Sequence, residues 1–571
     1  MKMKWKQKMT MLVIASSLLI PSASFHVIAE ETPQISAEAE QPYLTSSIRA
    51  EVKSILNEQT SSGTRIGAVI RLYNEGSGVT RVPENEVRVK TEEGVEYILR
   101  PSITNVTRIQ PKETVELSYL IVVDRYEVFS LTDLTWFEVD EYVYPKLEKK
   151  ITSVPIMSLQ WRGENSILSD PAAAKQWGEA FTIPLQSNAI EYKLNSLSEQ
   201  HTSEGLMSIV GVLAVNKSDV QKTIPDFRID GKSDKKAFTG KRLEQEVMTI
   251  EPNEQRQLHY AVPAGSELKS LTILTPESFA ANETTNISYS IGRLNVTLPG
   301  NSKTPSSINQ LPSYEWGKPI RFDSLSKLIG PEVDVSMEAL YMNESAGGGF
   351  KAAVAKFKLQ NRSDSPLSIP KFQAGLMSAS GKKYKGIRQS TQVDTLIPNI
   401  SYVIYYSFVL PSTETGERLA MELLDGESVA PYNLPIAAFK TQVREADSDE
   451  DKSLAFYPFK VDVRDWKVGR SYNSSSSLPY ATKFNLDWVI QLQDQVVVDQ
   501  SYSKLKVEIA NENGKVLASK AFSLTGENQL TSGIQTVSFD TDQLETTFIL
   551  HLYETVDTPF GEVKRLIKTM R

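Results

Sequence analysis

The stretch Ala355-Lys356-Phe357-Lys358-Leu359-Gln360-Asn361, followed by the turn residues Arg362-Ser363-Asp364 and then by Ile369-Pro370, decides the fold. Its apolar residues recur at every second position, the period of a strand with one face toward a core, so Lys356 and Lys358 are expected to point into water. The polar residues after Asn361 suit a turn through side-chain bonds to the backbone. Ile369-Pro370 is expected to open a second strand, with Pro where its missing N–H is tolerated. Farther on, Pro398-Asn399 sets a tight turn, because Pro pre-fixes φ at the first central position. The strand after it alternates again through Tyr402, Ile404, Tyr406 and Phe408, which puts Tyr406 on the apolar face.

The same skeleton occurs twice more. In chain order the landmarks are Asn74, Val82-Pro83, Pro111 and Tyr119; then Asn216, Ile224-Pro225, Pro252 and Tyr260; then Asn361, Ile369-Pro370, Pro398 and Tyr406. The interval from Asn to the second Pro is 37, 36 and 37 residues, and the copies lie 142 and 145 residues apart. A period this long suits whole domains in series, each owning a core, rather than a solenoid of short repeats. A hairpin signal follows each first Pro, at Glu93-Gly94, Asp230-Gly231 and Ser380-Gly381, with an aromatic shortly beyond at Tyr97, Phe238 and Tyr384.

Short strands, frequent turn signals and almost no helical periodicity imply an all-β chain of two-layer antiparallel sandwiches. On the strand pattern and the Asn, Pro and Tyr skeleton, it resembles the immunoglobulin-like extracellular modules of exported Gram-positive bacterial proteins. The resemblance covers 44–161, 177–299 and 316–443, three related copies. Residues 455–571 are expected to form a divergent fourth sandwich, from the alternation at Lys504-Leu505-Lys506-Val507-Glu508-Ile509 and the turn at Glu512-Asn513-Gly514. The resemblance implies a binding or spacing module without catalysis. The three Tyr are then core residues whose hydroxyls reach a backbone carbonyl, similar to the tyrosine corner of that fold.

Residues 1–29 read as a secretory signal peptide: Lys2, Lys4, Lys6 and Lys8, an apolar stretch from Met11 to Ile20, and Val27-Ile28-Ala29 at the cleavage site. An uncleaved anchor is the alternative. The chain has no cysteine among 571 residues, so burial rather than disulfides must stabilise each domain. Its net charge of −8 falls to about −12 once the four leader lysines are removed, which disfavours nucleic acid and anionic lipid as general partners. Partners are expected among proteins or cell-wall polymers at the envelope, with no stable membrane insertion after cleavage.

The residue inventory gives little to catalysis. With no Cys and only His201, His259 and His551 beyond the leader, nucleophile pairs and zinc clusters lack parts. No catalytic, cofactor-binding or metal-binding residue is assigned. His259, next to core Tyr260, should face outward. Asp447, Asp449 and Asp451 have the opening spacing of a calcium loop, but Lys452 stands where Gly is needed, so an acidic linker is expected. Gly347-Gly348-Gly349 reads as a hairpin tip. Trp177-Gly178 and Trp316-Gly317 open the segments before the second and third copies, where Trp packs into a junction or offers a sugar-stacking platform. Ser169 to Ala174 suits a short helical turn, and the Ser-rich stretch from Tyr472 to Tyr480 a connection or a recognition loop.

The expected function is that of a non-enzymatic exported binding or spacer array. The alternatives are a polysaccharide hydrolase drawing carboxylates from 455–571 and an assembly factor that lends sheet edges to a partner.

Overall fold

The computed structural model describes residues 41–164, 173–186, 188–234, 236–264, 268–298, 308–345, 347–444, 453–493, 495–526 and 529–571. Residues 1–29, expected as a signal peptide, the segment at Ser169 and the acidic stretch at Asp447 lie outside them, in whole or nearly so. The described chain is nearly all β, and among the described residues helical structure is limited to 3-10 turns such as Met157–Leu159 and Ile308–Gln310. It divides into two compact units, one with residues up to Ile55, Ile66–Val123 and Glu127–Gln160, the other with Leu56–Arg65, Asp124–Tyr126 and everything from Trp161.

In the first unit one layer carries the strand Gly63–Asn74 from Ile66 onward, beside Thr114–Val123, and the other carries Glu86–Thr91, Leu131–Asp140 and Leu147–Pro155. The strand Glu96–Pro101 belongs to both, pairing Glu86–Thr91 through its first four residues and Thr114–Val123 through its last two. Between the layers Ala68, Ile70 and Leu72 meet Val87, Val89, Leu134 and Trp136. Each of the larger of these buried side chains contributes about 1.5–3 kcal/mol.

In the second unit, one pair of five-stranded sheets encloses the core around Tyr192, Phe227 and Tyr260. Next along the chain, the strands Val333–Ser345, Phe350–Asn361 and Ser401–Pro411 face Gln373–Ser378, Leu419–Asp425 and Leu434–Thr441 across a core around Phe357, Phe372 and Tyr406. These two parts touch where Gln200 and Asn433 exchange two hydrogen bonds, at 2.5 and 3.0 Å, beside Met207, Ile209 and Leu434.

The region from Ser453 onward is not a separate bead. Its last strand, Gly561–Met570, pairs with Val333–Ser345 through Glu344 opposite Lys564, and Val496–Val498 pairs in parallel with Ser401–Pro411. A four-stranded sheet formed by Ser453–Phe456, Phe459–Tyr472, Tyr480–Leu492 and Gly533–Thr541 packs over the resulting surface. The core there includes Ala352, Val354, Val403 and Tyr405, which lie on the far side of the strands that hold Phe357 and Tyr406. The strand Phe350–Asn361 is therefore buried on both faces. Lys356, expected in water, is fully enclosed, whereas Lys358 stays 29% exposed and pairs with Glu338 at 3.3 Å.

Two further expectations need correction. The aliphatic-Pro pairs do not open strands. Val82, Ile224 and Ile369 donate the last backbone bond of a two-residue ladder to Thr107, Met248 and Asp394, and the Pro that follows has no N–H to continue it. The next strands begin three residues later, at Glu86, Arg228 and Gln373. Asp230-Gly231 lies inside the strand Arg228–Lys232 rather than in a turn, and beyond that strand the Ser233 N–H donates to the Lys236 carbonyl. A Cβ on Gly231 would come within 2.5 Å of the Leu268 side chain, so close packing rather than turn geometry calls for Gly.

Candidate functional site

Each landmark Asn ends its strand in a buried position and uses its carboxamide to tie two chain segments. Asn74 Nδ2 donates to the carbonyls of Gly78 and Ile109 at 2.9 and 3.1 Å, Asn216 to Val220 and Ile250 at 2.8 and 3.0 Å, and Asn361 to Ser365 and Leu396 at 2.8 and 3.0 Å. The Oδ1 atoms accept the N–H of Gly76, Ser218 and Ser363. Two residues past each tied carbonyl stand Pro111, Pro252 and Pro398, followed by Lys112, Asn253 and Asn399 at φ of 63°, 60° and 59°. The N–H of those three residues returns to the carbonyl of the same Asn. Pro followed by a left-handed residue is the type II turn, in which Asn is better tolerated than Lys.

The Tyr landmarks lie in three separate cores and share no cleft. Tyr260 donates to the Phe227 carbonyl at 3.1 Å, and Tyr406 donates to the Phe372 carbonyl. Burial raises both phenols well above their ordinary range, and Tyr119 to about 12. In the first copy Asn85 occupies the place of Phe227 and Phe372, and Tyr119 makes no such bond among the described residues.

The position eighteen residues before each Tyr was not singled out from the sequence. There Arg242 pairs across the ladder with Tyr260 and Arg388 with Tyr406, each preceded by Gly-x, whereas Pro101 faces Tyr119. Gly240 and Gly386 permit close approach, since an added Cβ would sit 1.9 Å from the Ile229 carbonyl oxygen and 2.6 Å from that of Ala374. The strand Lys383–Arg388 pairs with both layers, whereas Arg242 lies in the short strand Lys241–Arg242 of one layer, just after Ala237–Phe238 of the other. Concavities open beside them, about 680 Å³ at Arg242 and 620 Å³ at Arg388. The repeated Gly-x-Arg was the signal available for finding them.

A third concavity of about 370 Å³ lies between the second and third copies. His259 faces into it with its ring 13% exposed, its Nδ1 2.8 Å from Glu244 Oε1, which corrects the expectation of a surface His. The acids around it are engaged locally. Glu254 holds Arg256 at 2.7 Å, Asp323 accepts the N–H of Leu325, and Asp425 accepts those of Glu427 and Ser428. Among the described residues no group of three or more His, Asp or Glu is placed to hold a metal ion, and no helix is long and apolar enough to cross a membrane.

The most deeply buried charge cluster among the described residues is the junction at Lys356. Its ammonium lies 2.6 Å from Glu554 Oε1 and donates to the Tyr457 carbonyl at 2.9 Å, against the rings of Phe456 and Tyr502. Glu554 Oε2 accepts from Arg565 at 2.7 Å, and that guanidinium stacks 3.7 Å from the centre of the Tyr341 ring. Burial alone would raise the Glu554 carboxyl, but the attraction of Lys356 and Arg565 outweighs it and holds the group at about 2. Burial pushes the Lys356 ammonium down, against the pull of Glu554. With both oxygens bound by cations and enclosed, Glu554 is a structural carboxylate.

The Trp residues at 177 and 316 pack on the cores of the copies they precede, each followed by Gly at positive φ. The Ser-rich stretch is the exposed tip of the hairpin in which Tyr472 and Tyr480 face each other with ring centres 5.3 Å apart. Gly347 to Gly349 lies between Val333–Ser345 and Phe350–Asn361, at the hairpin tip.

No family model matches the chain, and no curated protein matches it. A solved protein of unknown function from Porphyromonas gingivalis W83 matches over 45% of this chain and 100% of its own, at 10% identity and a TM-score of 0.14. Dimeric latent PorU from Porphyromonas gingivalis matches over 67% of this chain at 10% identity and a TM-score of 0.13; the match covers 34% of that protein's length. Likenesses this slight carry no argument.

Proposed function

We propose that this chain is a non-enzymatic, exported multidomain protein. It acts at or near the cell envelope as a binding and spacing array of immunoglobulin-like sandwiches, three related copies followed by a divergent C-terminal one. The observation that carries the reading is the junction at Lys356, where a shared sheet and a buried charge cluster join the third copy to the region after Ser453. A joint with so little freedom suits a part that presents a surface at a fixed angle rather than a linker between independent enzymes. The engagement of the acids around the His259 cleft, and of Glu554, supports the same reading over the hydrolase. The basic leader and acidic mature composition support export.

The test follows the mature full-length chain among medium, wall and membrane fractions of its producing cell, then sediments purified chain with isolated wall and envelope material. Retention by either supports an envelope role. A chain found only in the cytoplasm, or one that cleaves wall polysaccharide at a rate lost on substituting a single carboxylate, overturns the reading.

A further inference from the structure

The grooves beside Arg242 and Arg388 occupy corresponding places in the second and third copies, yet their charges differ in one direction. Ile224, Phe227, Gly240, Arg242 and Tyr260 of the first groove correspond to Ile369, Phe372, Gly386, Arg388 and Tyr406 of the second. Around this common frame the second copy places Asp226, Glu244 and Glu246, which balance Arg228, Lys241 and Arg242. At the corresponding positions the third copy has Lys371, Ser390 and Gln392. Its groove is lined by the cations Lys371, Lys385 and Arg388, with Asp394 as its acid.

The cations differ in their partners too. In the second copy Arg242 has Glu244 at 3.9 Å, and Arg228 is held by Glu164 at 2.7 Å and Asp230 at 3.0 Å. In the third copy Arg388 spends one Nη1 bond on the Pro370 carbonyl at 3.2 Å and lies 6.0 Å from the centre of the Phe372 ring, which orients the guanidinium. Among the described residues neither Arg388 nor Lys371 nor Lys385 has a carboxylate within ion-pair distance. A chain that carries a net charge of −8 thus keeps three cations without ion-pair partners around one concavity of about 620 Å³, a volume within the usual range of ligand sites, roughly 300–1,000 Å³, against Asp394 in its lining and Asp499, which accepts the Gln392 N–H at 2.7 Å.

We infer that the groove at Arg388 binds an oxyanion-bearing polymer, with the guanidinium gripping one carboxylate or phosphate and Lys371 and Lys385 steering its neighbours. Arg offers planar, paired donors to either group, and Lys supplies a mobile point charge. The balanced groove of the second copy does not share this role. The inference deepens the binding half of the proposed function and rests on it.

Isothermal titration of the full mature chain at low salt compares polygalacturonate, poly(glycerol phosphate), inorganic phosphate and the neutral polymer dextran. Binding of polygalacturonate or poly(glycerol phosphate), with none of dextran, supports the inference, and which polymer binds identifies carboxylate or phosphate as the anion. Inorganic phosphate alone binding, without either polymer, overturns it. In the chain that binds, Arg388→Gln and, separately, Lys371→Asp should each weaken binding about tenfold or more, while Arg242→Gln leaves it within twofold. Lys371 is exposed, so its substitution reads charge rather than folding. Binding that survives both substitutions, or that falls equally with Arg242→Gln, overturns the assignment. Soluble polymer binding without wall sedimentation removes the envelope reading and keeps the groove; wall sedimentation indifferent to Arg388 and Lys371 does the reverse.

Discussion

Replacing Glu554 by Gln should destabilise the joined third copy and C-terminal region far more than replacing Lys356 by Met. The cluster holds two cations and one anion, all nearly free of solvent, with side-chain exposures of 0% for Lys356, 2% for Glu554 and 6% for Arg565. Without the carboxylate, two buried like charges remain, and breaking such a set by removing one partner costs about 3–5 kcal/mol. Without the ammonium, a neutral pair remains, with Arg565 Nε and Nη2 both donating to Glu554. The loss is then the bond to the Tyr457 carbonyl, about 1 kcal/mol, against which stands the removed cost of desolvating an ammonium. For a unit of this size 1 kcal/mol moves the midpoint by about 2–4 °C, so Glu554→Gln should lower it by about 10 °C and Lys356→Met by about 3 °C or less. Differential scanning calorimetry of the full chain, with near-ultraviolet circular dichroism on the same samples, reads both. The double variant should melt above Glu554→Gln alone, because one of the two stranded charges has gone. The charge accounting is wrong if Lys356→Met proves as damaging as Glu554→Gln, or if the double variant is the least stable of the three.

The same carboxylate sets an acid limit. Its folded pKa lies below the unfolded value, so its contribution is complete above about pH 4.5 and drains away as pH falls toward 2; Glu554→Gln should flatten that limb in a pH series of urea midpoints. Asn361→Ala removes the carboxamide that ties Ser365 and Leu396 at 0% exposure and should cost about 2–3 kcal/mol by urea denaturation; a loss under about 0.5 kcal/mol would deny the tie a structural role. Gly240→Ala drives a Cβ into the Ile229 carbonyl and should cost about 3 kcal/mol or more, whereas Gly381→Ala, which meets nothing within 4 Å and is strained only by its φ of 82°, should cost about 1–2 kcal/mol. Equal midpoints for these two variants would count against the close approach at Gly240.

The layered β character was legible because strand periodicity and turn chemistry depend on residues close in sequence, and because the Asn and Pro spacing recurs three times. Asn74, Asn216 and Asn361 bind carbonyls that lie two residues before the landmark Pro, so the repeated skeleton marked both ends of the tie. Lys356 was misread because its environment is supplied by Tyr457, Tyr502 and Glu554, far along the chain. A period of two says that faces differ, not that one of them is wet. Ala352 and Val354, on the lysine side of the same strand, were the trace of a second covered face. Asp230-Gly231 misled because a short Gly can serve packing as well as a turn. The grooves escaped notice because their Arg and Tyr sit eighteen residues apart, on neighbouring strands.

The strand Phe350–Asn361 serves two cores at once, and this limits how the molecule can be divided. A fragment cut at the acidic stretch after residue 444 would leave Ala352, Val354, Val403 and Tyr405 as a bare apolar surface around an ammonium with no counter-ion. Its complement would retain Glu554 and Arg565 beneath an open sheet edge at Gly561–Met570. Cloning boundaries drawn at the composition break would therefore yield two insoluble halves, while joint expression of the same halves lets each act as the other's missing wall.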